Sequence, residues 1–301
     1  MNTPAVSVVI SAYNARRYLA EAMESVLAQT FHDFEVIVVD DGSTDDTKKI
    51  LDGFAARDNR IRVISRPNKG LTVSLNEALA AVRAPLIARM DADDVALPDR
   101  FAKQVQYLAE HPDIICISSA VELIDPFGVH IGVLTPPADH AAIDASLLKG
   151  NGGAIVHPAA MMRTDIVRQV GGYQEKYNNS EDLDLWLRLA EVGKLANLPD
   201  TLLKYRRDLG SVSHTKRDNQ LRMKSQILAD AYARRGLTPP SEWKFDLWMP
   251  KPHDVQLKEW GWRALQLGRR DAAIGHAKSL VKLHPFSVDS WRLMLCAWRG
   301  R

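Results

Sequence analysis

Short β-branched runs alternate with apolar residues at helical spacing through the first 120 positions. VSVVI (6–10), bounded by the turn-like SAYN, predicts a strand buried on both faces. In ARRYLAEAMESVLAQT, Tyr18, Leu19, Ala22, Val26 and Leu27 recur at helical spacing. FEVIVVDDGST predicts a second buried strand ending at Asp40 and Asp41. Thr44 can cap the helix that follows, DDTKKILDGFAAR, whose first turn is acidic as a helix dipole prefers. IRVISR, LIARM and DIICISS read as further strands, with LTVSLNEALAAV and LPDRFAKQVQYLAEH as helices, the latter with Pro98 near its start. Strand–helix alternation of this kind implies an α/β fold, a mostly parallel sheet with helices on both faces. Ligands of such sheets bind beyond the carboxyl ends of the strands, which lines SAYN, DDGS and DADD along one edge.

Beyond residue 120 the pattern loosens. VELIDPFGVHIGV predicts a hairpin around Pro126-Phe127-Gly128, and GAIVHPAAMMR a strand. EDLDLWLRLAEVG is an amphipathic helix with Leu183, Trp186, Leu187 and Ala190 on one side. From about 215 the chain reads as helical; between 256 and 298 it predicts two helices around Gly268-Arg269-Arg270, with a stop at Pro285, like a single tetratricopeptide-type hairpin. The expected division is a catalytic-type domain over 1–215 (halves 1–120 and 121–215) and a helical C-terminal region over 216–301.

Composition adds compartment and charge. An apolar fraction of 46% with 25% charged residues is that of an ordinary globular chain of 301 residues. Cys116 and Cys296 are far apart and in no metal-binding spacing, so no disulfide framework is expected and a reducing, cytoplasmic setting is. The start, MNTPAVSVVISAYN, lacks the basic segment of a secretory leader, and no apolar run approaches the ~20 residues of a membrane span. The net charge of +2 divides unevenly: residues 216–301 hold 17 Lys/Arg against 8 Asp/Glu, residues 1–215 hold 22 against 29. Six of the seven tryptophans lie in the basic tail, a composition that suits peripheral contact with anionic headgroups at the inner face of a membrane. Leu257, Trp260, Leu265 and Leu267 equally fit a helix–helix core. No nucleic-acid module is recognisable.

Three acidic segments carry candidate chemistry. In DADD, Asp91 and Asp93 stand two apart at a strand end, where side chains two apart point the same way and could hold a hard divalent cation, Mg²⁺ or Mn²⁺. Taken alone, the same letters also describe an acidic turn before a helix. DDGS ends another strand on the same edge, where a carboxylate can accept from a base N–H or ribose hydroxyl, or form an Asx-turn. In GGYQEKYNNSEDLDLW, Asp182 sits at a helix start, fit for a general base or for an N-cap. GxGxxG and GxxxxGK[ST] are absent, which removes NAD-type and P-loop readings.

SVVISAYN, EVIVVDDGSTDDT, NKGLTVSLNEAL, ARMDADDVALPDR and GGYQE…SEDLDLWLRL, in this order over residues 5–215, resemble the family 2 inverting glycosyltransferases of GT-A fold, bacterial polysaccharide-building enzymes among them. The resemblance implies a Rossmann-like GT-A domain with a nucleotide-sugar donor, by family habit a UDP-sugar, and a glycan or lipid-linked glycan acceptor. It implies Ser11, Tyr13, Asp40, Asp41, Lys69, Gly70, Asn76, Asp91 and Ala92 around the donor, with Asp41 on the uracil N–H and Asp91 near ribose or metal. Asp93 would ligate the divalent cation, with Asp91 contributing and Asp94 behind them; Asp182 would be the base. Glu181, Trp186, His157 and Tyr173 would shape the acceptor side. Members often carry Arg before the Asn of the third motif; this chain has Leu75-Asn76, which leaves Lys69 or Arg66 for the diphosphate. The usual His after Tyr-Arg is replaced in KYRRDLGSVSH, where Arg206, Arg207 or His214 could substitute. A sugar-nucleotide pyrophosphorylase would need a Gly- and basic-rich loop, which SAYNARRY is not; a non-catalytic nucleotide-sugar-binding protein would not need Asp93 and Asp182 together.

Overall fold

VSVVI, FEVIVV and LIARM become strands because their side chains are buried on both faces under covering helices, while the edge run IRVIS is only partly buried. The structure, a computed structural model, describes residues 3–208, 217–243, 245 and 251–300. Strands β1 (Val6–Ala12), β2 (Phe34–Asp40), β3 (Ile61–Ser65) and β4 (Leu86–Asp91) pair in parallel in the order β3-β2-β1-β4. Helices α1 (Leu19–Leu27), α2 (Thr47–Arg57) and α3 (Leu71–Ala81) connect them. Beyond β4 the parallel order gives way. The short β8 (Met161–Arg163) runs antiparallel between β4 and β6 (Ile114–Ile124), and β5 (Val95–Ala96) pairs antiparallel with β9 (Lys194–Arg206). Only three residues of GAIVHPAAMMR are strand. Two 3-10 turns, Gly152–Ala154 and His157–Ala159, precede them, the second built around Pro158, which cannot donate to a ladder. Thr44 caps no helix: α2 starts three residues later, and Asp45 accepts from the Thr47 amide at 2.9 Å.

The chain divides into two compact units, Met1–Val121 with Leu134–Tyr205 and Lys216–Asp246, and Glu122–Val133 with Arg206–Thr215 and Leu247–Arg301. In the first, the sheet packs on α3, α5 (His140–Leu147), α7 (Glu181–Ala190) and α8 (Arg217–Arg234). The core joins Val9, Ile37 and Val39 to Leu75, Leu183 and Leu187, and α8 adds Ile227, Leu228 and Ala231. Helix α8, read with the tail, therefore belongs by contact to this unit, because its apolar face is needed to cover α7. The remaining helices of the unit are α4 (Arg100–Glu110) and α6 (Thr164–Gln169).

The second unit contains the expected hairpin, closed by β7 (His130–Leu134) and by Asp125, whose Oδ1 accepts from the Phe127 and Val129 amides, each at 2.8 Å. Around it lie α9 (His253–Gln266), α10 (Arg270–Leu283) and α11 (Val288–Arg299). Pro285 stops α10, and the chain re-enters a helix two residues past Phe286, so the stretch holds three helices where two were expected. Leu257, Ala264, Ala273, Ala277, Leu280 and Leu293 form the core. His276 is buried on Asp125, Nε2 to Oδ2 2.6 Å. Among the described residues no helix is long and apolar enough to cross a membrane.

Candidate active site

Parallel pairing brings the acidic segments to one edge. In the register, Ala12 faces Asp40 on one side while Ser11 faces Asp91 on the other. Neighbouring strands are ~4.8 Å apart, so the two acidic strand ends flank β1 at about 10 Å. Tyr13 is exposed just past the strand. The turn beyond β2 is built by side chains: Asp40 Oδ1 accepts from the Ser43 amide at 3.1 Å, and Asn14 Oδ1 from Thr44 at 2.8 Å. Gly42 sits at φ +72°, where a Cβ would lie 2.5 Å from the Asn68 nitrogen; glycine is required for β2 to pass this close to the 66–70 loop.

Asp41 is buried and organises that loop. Its Oδ1 accepts from the Lys69 amide at 2.8 Å and its Oδ2 from the Gly70 amide at 3.0 Å, and Arg66 donates to Oδ1. Arg66 is spent here: Nε reaches Glu77 at 2.5 Å and Nη2 reaches Ser74 Oγ at 2.9 Å. Lys69 keeps an exposed ammonium, 3.9 Å from Glu77, so of the two residues expected at the diphosphate only Lys69 retains donors for a ligand. Asn76 points elsewhere. Its amide donates to the Tyr173 carbonyl at 2.8 Å and accepts from the Tyr173 amide at 3.0 Å, clamping the Gly171-Gly172 turn. At Gly172, φ +63°, a Cβ would meet Asn76 Oδ1 at 3.0 Å. Arg188 of α7 holds the same turn by the carbonyls of Val170 and Gly172 at 2.6 and 2.8 Å.

DADD is a turn rather than a continuing strand, since β4 ends at Asp91. The turn still gathers Asp91, Asp93 and Asp94 so that one oxygen from each lies within 4.8 Å of the others, and Asp94, expected behind the pair, is part of the group. Ala92 is buried beneath them. Two residues back, Arg89 is buried and pairs with Asp91, Nη2 to Oδ1 2.6 Å. Burial opposes its charge, but the Asp91 carboxylate outweighs this and holds the guanidinium above its ordinary range. Its Nε and Nη1 have no hydrogen-bond partner among the described residues. Arg100 of α4 lies fully buried behind it, Nη2 on the Arg89 carbonyl at 2.7 Å. Burial, reinforced by Arg89 and opposed by Asp94, pushes Arg100 down to about 9.

Within the same unit, α7 and its approach supply the opposite wall. Trp186 is buried edge-on to His157, ring centroids 5.6 Å apart, and His157 Nε2 is 2.7 Å from the Tyr173 hydroxyl. Burial, with the Arg89 charge second, holds His157 well below its usual value, so it is neutral at pH 7. Burial raises Tyr173, so its hydroxyl stays protonated. Glu181 and Asp182 open α7, where the helix dipole favours carboxylates, yet burial dominates both. It pushes Glu181, with the Asp182 charge second, up to about 7. Asp182 is raised by burial against a hydrogen bond from the Leu183 amide (2.8 Å) and the charges of Lys224 and Arg89. Glu181 Oε2 and Trp186 Nε1 are buried without a partner among the described residues.

Two site residues escaped sequence reading. Arg89 was legible in principle: a charge inside a strand buried on both faces needs a partner, and Asp91 lies two residues on, on the same face. Lys224 on α8, half-buried and lowered by burial against the attraction of Asp182, carries no motif. Of the proposed substitutes for the missing His, Arg206 is buried and donates to the Asp125 carbonyl at 3.3 Å; His214 lies outside the described residues, as does Trp248 of the tail.

A sheet of this order, parallel in its first half and with acidic strand ends along one edge, has the GT-A fold. A family model for Glycosyl transferase family 2 matches residues 7–171, and the chain belongs to that family. EpsE of Bacillus subtilis (strain 168) is 35% identical over 254 residues, 83% of this chain and 88% of its own. The O-antigen biosynthesis glycosyltransferase WbnJ of Escherichia coli is 34% identical over 205 residues, 67% of this chain and 79% of its own. Among solved structures, S. aureus TarS 1-349 in complex with UDP-GlcNAc superposes with a TM-score of 0.62 at 16% identity, over 98% of this chain and 92% of that one.

Proposed function

We propose that the chain catalyses metal-dependent, inverting transfer of a sugar from a nucleotide sugar, a UDP-sugar first among donors, to a hydroxyl of a glycan or lipid-linked glycan. The observation that carries this reading is the gathering of Asp91, Asp93 and Asp94 within 4.8 Å at the end of β4, on the same sheet edge as Asp40, with Asp91 paired at 2.6 Å to the buried Arg89. Two of its nitrogens and Glu181 Oε2 are buried without partners among the described residues, as happens where a ligand completes the hydrogen bonding. The UDP-GlcNAc held by the TarS fold neighbour and the O-antigen naming of WbnJ support donor and acceptor class.

In this reading Ser11, Tyr13, Asp40 and the Asp41-held backbone of Lys69 and Gly70 receive the nucleoside, with the Lys69 ammonium on the diphosphate. Asp91, Asp93 and Asp94 fit a hard cation, since the donor set is all oxygen and one oxygen of each lies within 4.8 Å of the others. Bound there, Mg²⁺ or Mn²⁺ would stabilise charge on the leaving diphosphate. Asp182 takes the acceptor proton as the hydroxyl oxygen bonds to the anomeric carbon. The carbon–phosphate-oxygen bond breaks on the opposite face, releasing nucleoside diphosphate with inversion. His157, Tyr173 and Trp186 wall the acceptor side, and Asn76 serves it indirectly by clamping Tyr173. A screen of UDP-, GDP- and dTDP-sugars by thermal shift and donor hydrolysis tests the reading. A shift and hydrolysis with UDP donors are expected; no shift with any nucleotide overturns it.

A further inference from the structure

We propose that the outward face of α11, with the loop before it, docks onto an anionic lipid bilayer. Helix α11 is apolar on two sides. Ser290, Leu293 and Ala297 are buried in the second unit's core. Val288, Trp291, Leu295 and Trp298 are exposed, and Phe286 ahead of them is 98% exposed. At ~100° per residue these four fall within about 80° of one another, and their centre lies roughly 150° from the buried side. A stripe that the fold leaves uncovered at 3-4-3 spacing is not core, and an isolated exposed apolar residue would need no explanation, whereas a contiguous aromatic stripe does.

Chemistry selects the occupant. Arg292 and Arg299 are exposed along one border of the stripe, and Arg270 reaches the Trp298 carbonyl at its end. The sole acid of α11, Asp289, lies about 140° from the stripe centre and is paired with Lys258. Residues 253–301 carry nine Lys/Arg against four Asp/Glu, so a second copy seated on this face would oppose like charges. Trp291 Nε1 is already satisfied by the Pro285 carbonyl at 2.7 Å, which leaves its ring free to enter an apolar layer without an unpaired donor. Trp, Phe and Leu flanked by arginine on a short surface helix is the composition that lies in the headgroup plane. The inference uses no residue of the transfer site and stands apart from the donor and acceptor reading.

Flotation of the full chain with vesicles of about 30% phosphatidylglycerol in phosphatidylcholine, against phosphatidylcholine alone, tests it. The wild type should float with the anionic vesicles and lose at least about tenfold in binding when salt screens the headgroups. R292Q/R299Q should weaken it by about fivefold per arginine, and W291S/W298S by more. Both variants change exposed side chains away from the transfer site, so donor hydrolysis should match the wild type, with unfolding temperature lowered only by loss of the Trp291–Pro285 hydrogen bond and of the Arg292 guanidinium over the Trp262 ring. Equal binding to neutral vesicles, equal binding by the variants, or no flotation overturns the proposal. So does a concentration-dependent dimer in sedimentation velocity that W291S/W298S abolishes, which would assign the stripe to self-association.

Discussion

Asp41→Asn separates two jobs that a carboxylate at the end of β2 could perform. An ionised carboxylate offers about four acceptor positions. Asp41 fills three of them internally: Lys69 N at 2.8 Å, Gly70 N at 3.0 Å, and the Arg66 guanidinium. One position remains, the one proposed for a base N–H. An amide has a single oxygen, so either orientation sets its NH₂ against a backbone donor. Leaving one buried N–H unsatisfied costs ~1–3 kcal/mol, and losing a charge-assisted bond from Arg66 a further ~1.5–3 kcal/mol. Glu77 at 2.5 Å and Ser74 at 2.9 Å still hold Arg66, so the full cost of a stranded buried charge is not reached. A total of about 3–5 kcal/mol, at roughly 2–4 °C per kcal/mol for a unit of this size, lowers Tm by about 10 °C. Calorimetric unfolding at pH 7, with UDP titrated well below the transition, reads both jobs. The expected result is the lowered Tm with UDP affinity reduced no more than about tenfold, one hydrogen bond's worth. An unchanged Tm with UDP binding abolished would refute the clamp and make Asp41 a ligand group first.

Asp182→Asn should abolish transfer while leaving UDP affinity within about twofold, since the general base acts only on the acceptor proton; turnover near wild type in this variant sinks the base assignment. The rate should rise with pH along a limb set by Asp182 and the buried Glu181 beside it, with Glu181 pushed up to about 7. E181Q removes the neighbouring charge and should move that limb to lower pH, so an unmoved limb argues against coupling. The same raised value works against stability: the fold keeps a proton that the unfolded chain releases from its ordinary 4.5, so stability falls as pH rises between about 4.5 and 7. EDTA should remove transfer and Mn²⁺ or Mg²⁺ restore it, with Asp93→Asn needing more metal for half-maximal rate; full activity in EDTA refutes the cation reading of the acidic turn.

Much of the first half was legible because two strong signals coincide there. Runs such as VSVVI and FEVIVVD read as strands because β-branched residues on both faces suit only a covered sheet, and parallel pairing then dictates that their carboxyl ends share an edge. What stayed hidden depends on tertiary choices. Arg66 looked available to a phosphate until Asp41, Glu77 and Ser74 took its donors. Asn76 sits in the right motif yet spends its amide on the Tyr173 backbone. Asp91 and Asp93 were expected to converge by strand alternation, but a turn at Ala92 brings them together with Asp94. Helix α11 hid behind Pro285, whose ring stops one helix without preventing the next from starting three residues later.

The buried arginine explains why the acidic turn and the carboxylate pair can coexist. Three carboxylates with oxygens within 4.8 Å repel one another, and Glu181 and Asp182 at the start of α7 are a second adjacent acidic pair. Arg89 counters both at once: it pairs with Asp91 at 2.6 Å, and its charge lowers Glu181 and Asp182 against the dominant effect of burial. At His157 it adds to burial, the larger effect, in keeping the ring neutral, so the hydrogen bond to Tyr173 is an uncharged one. The backbone of the buried Arg89 is held at both ends, its carbonyl by Arg100 Nη2 at 2.7 Å and its amide by the Ala160 carbonyl at 2.9 Å. At Asp182, where burial raises the carboxyl, the Leu183 amide, the Lys224 ammonium and then the Arg89 charge all act in the opposite sense.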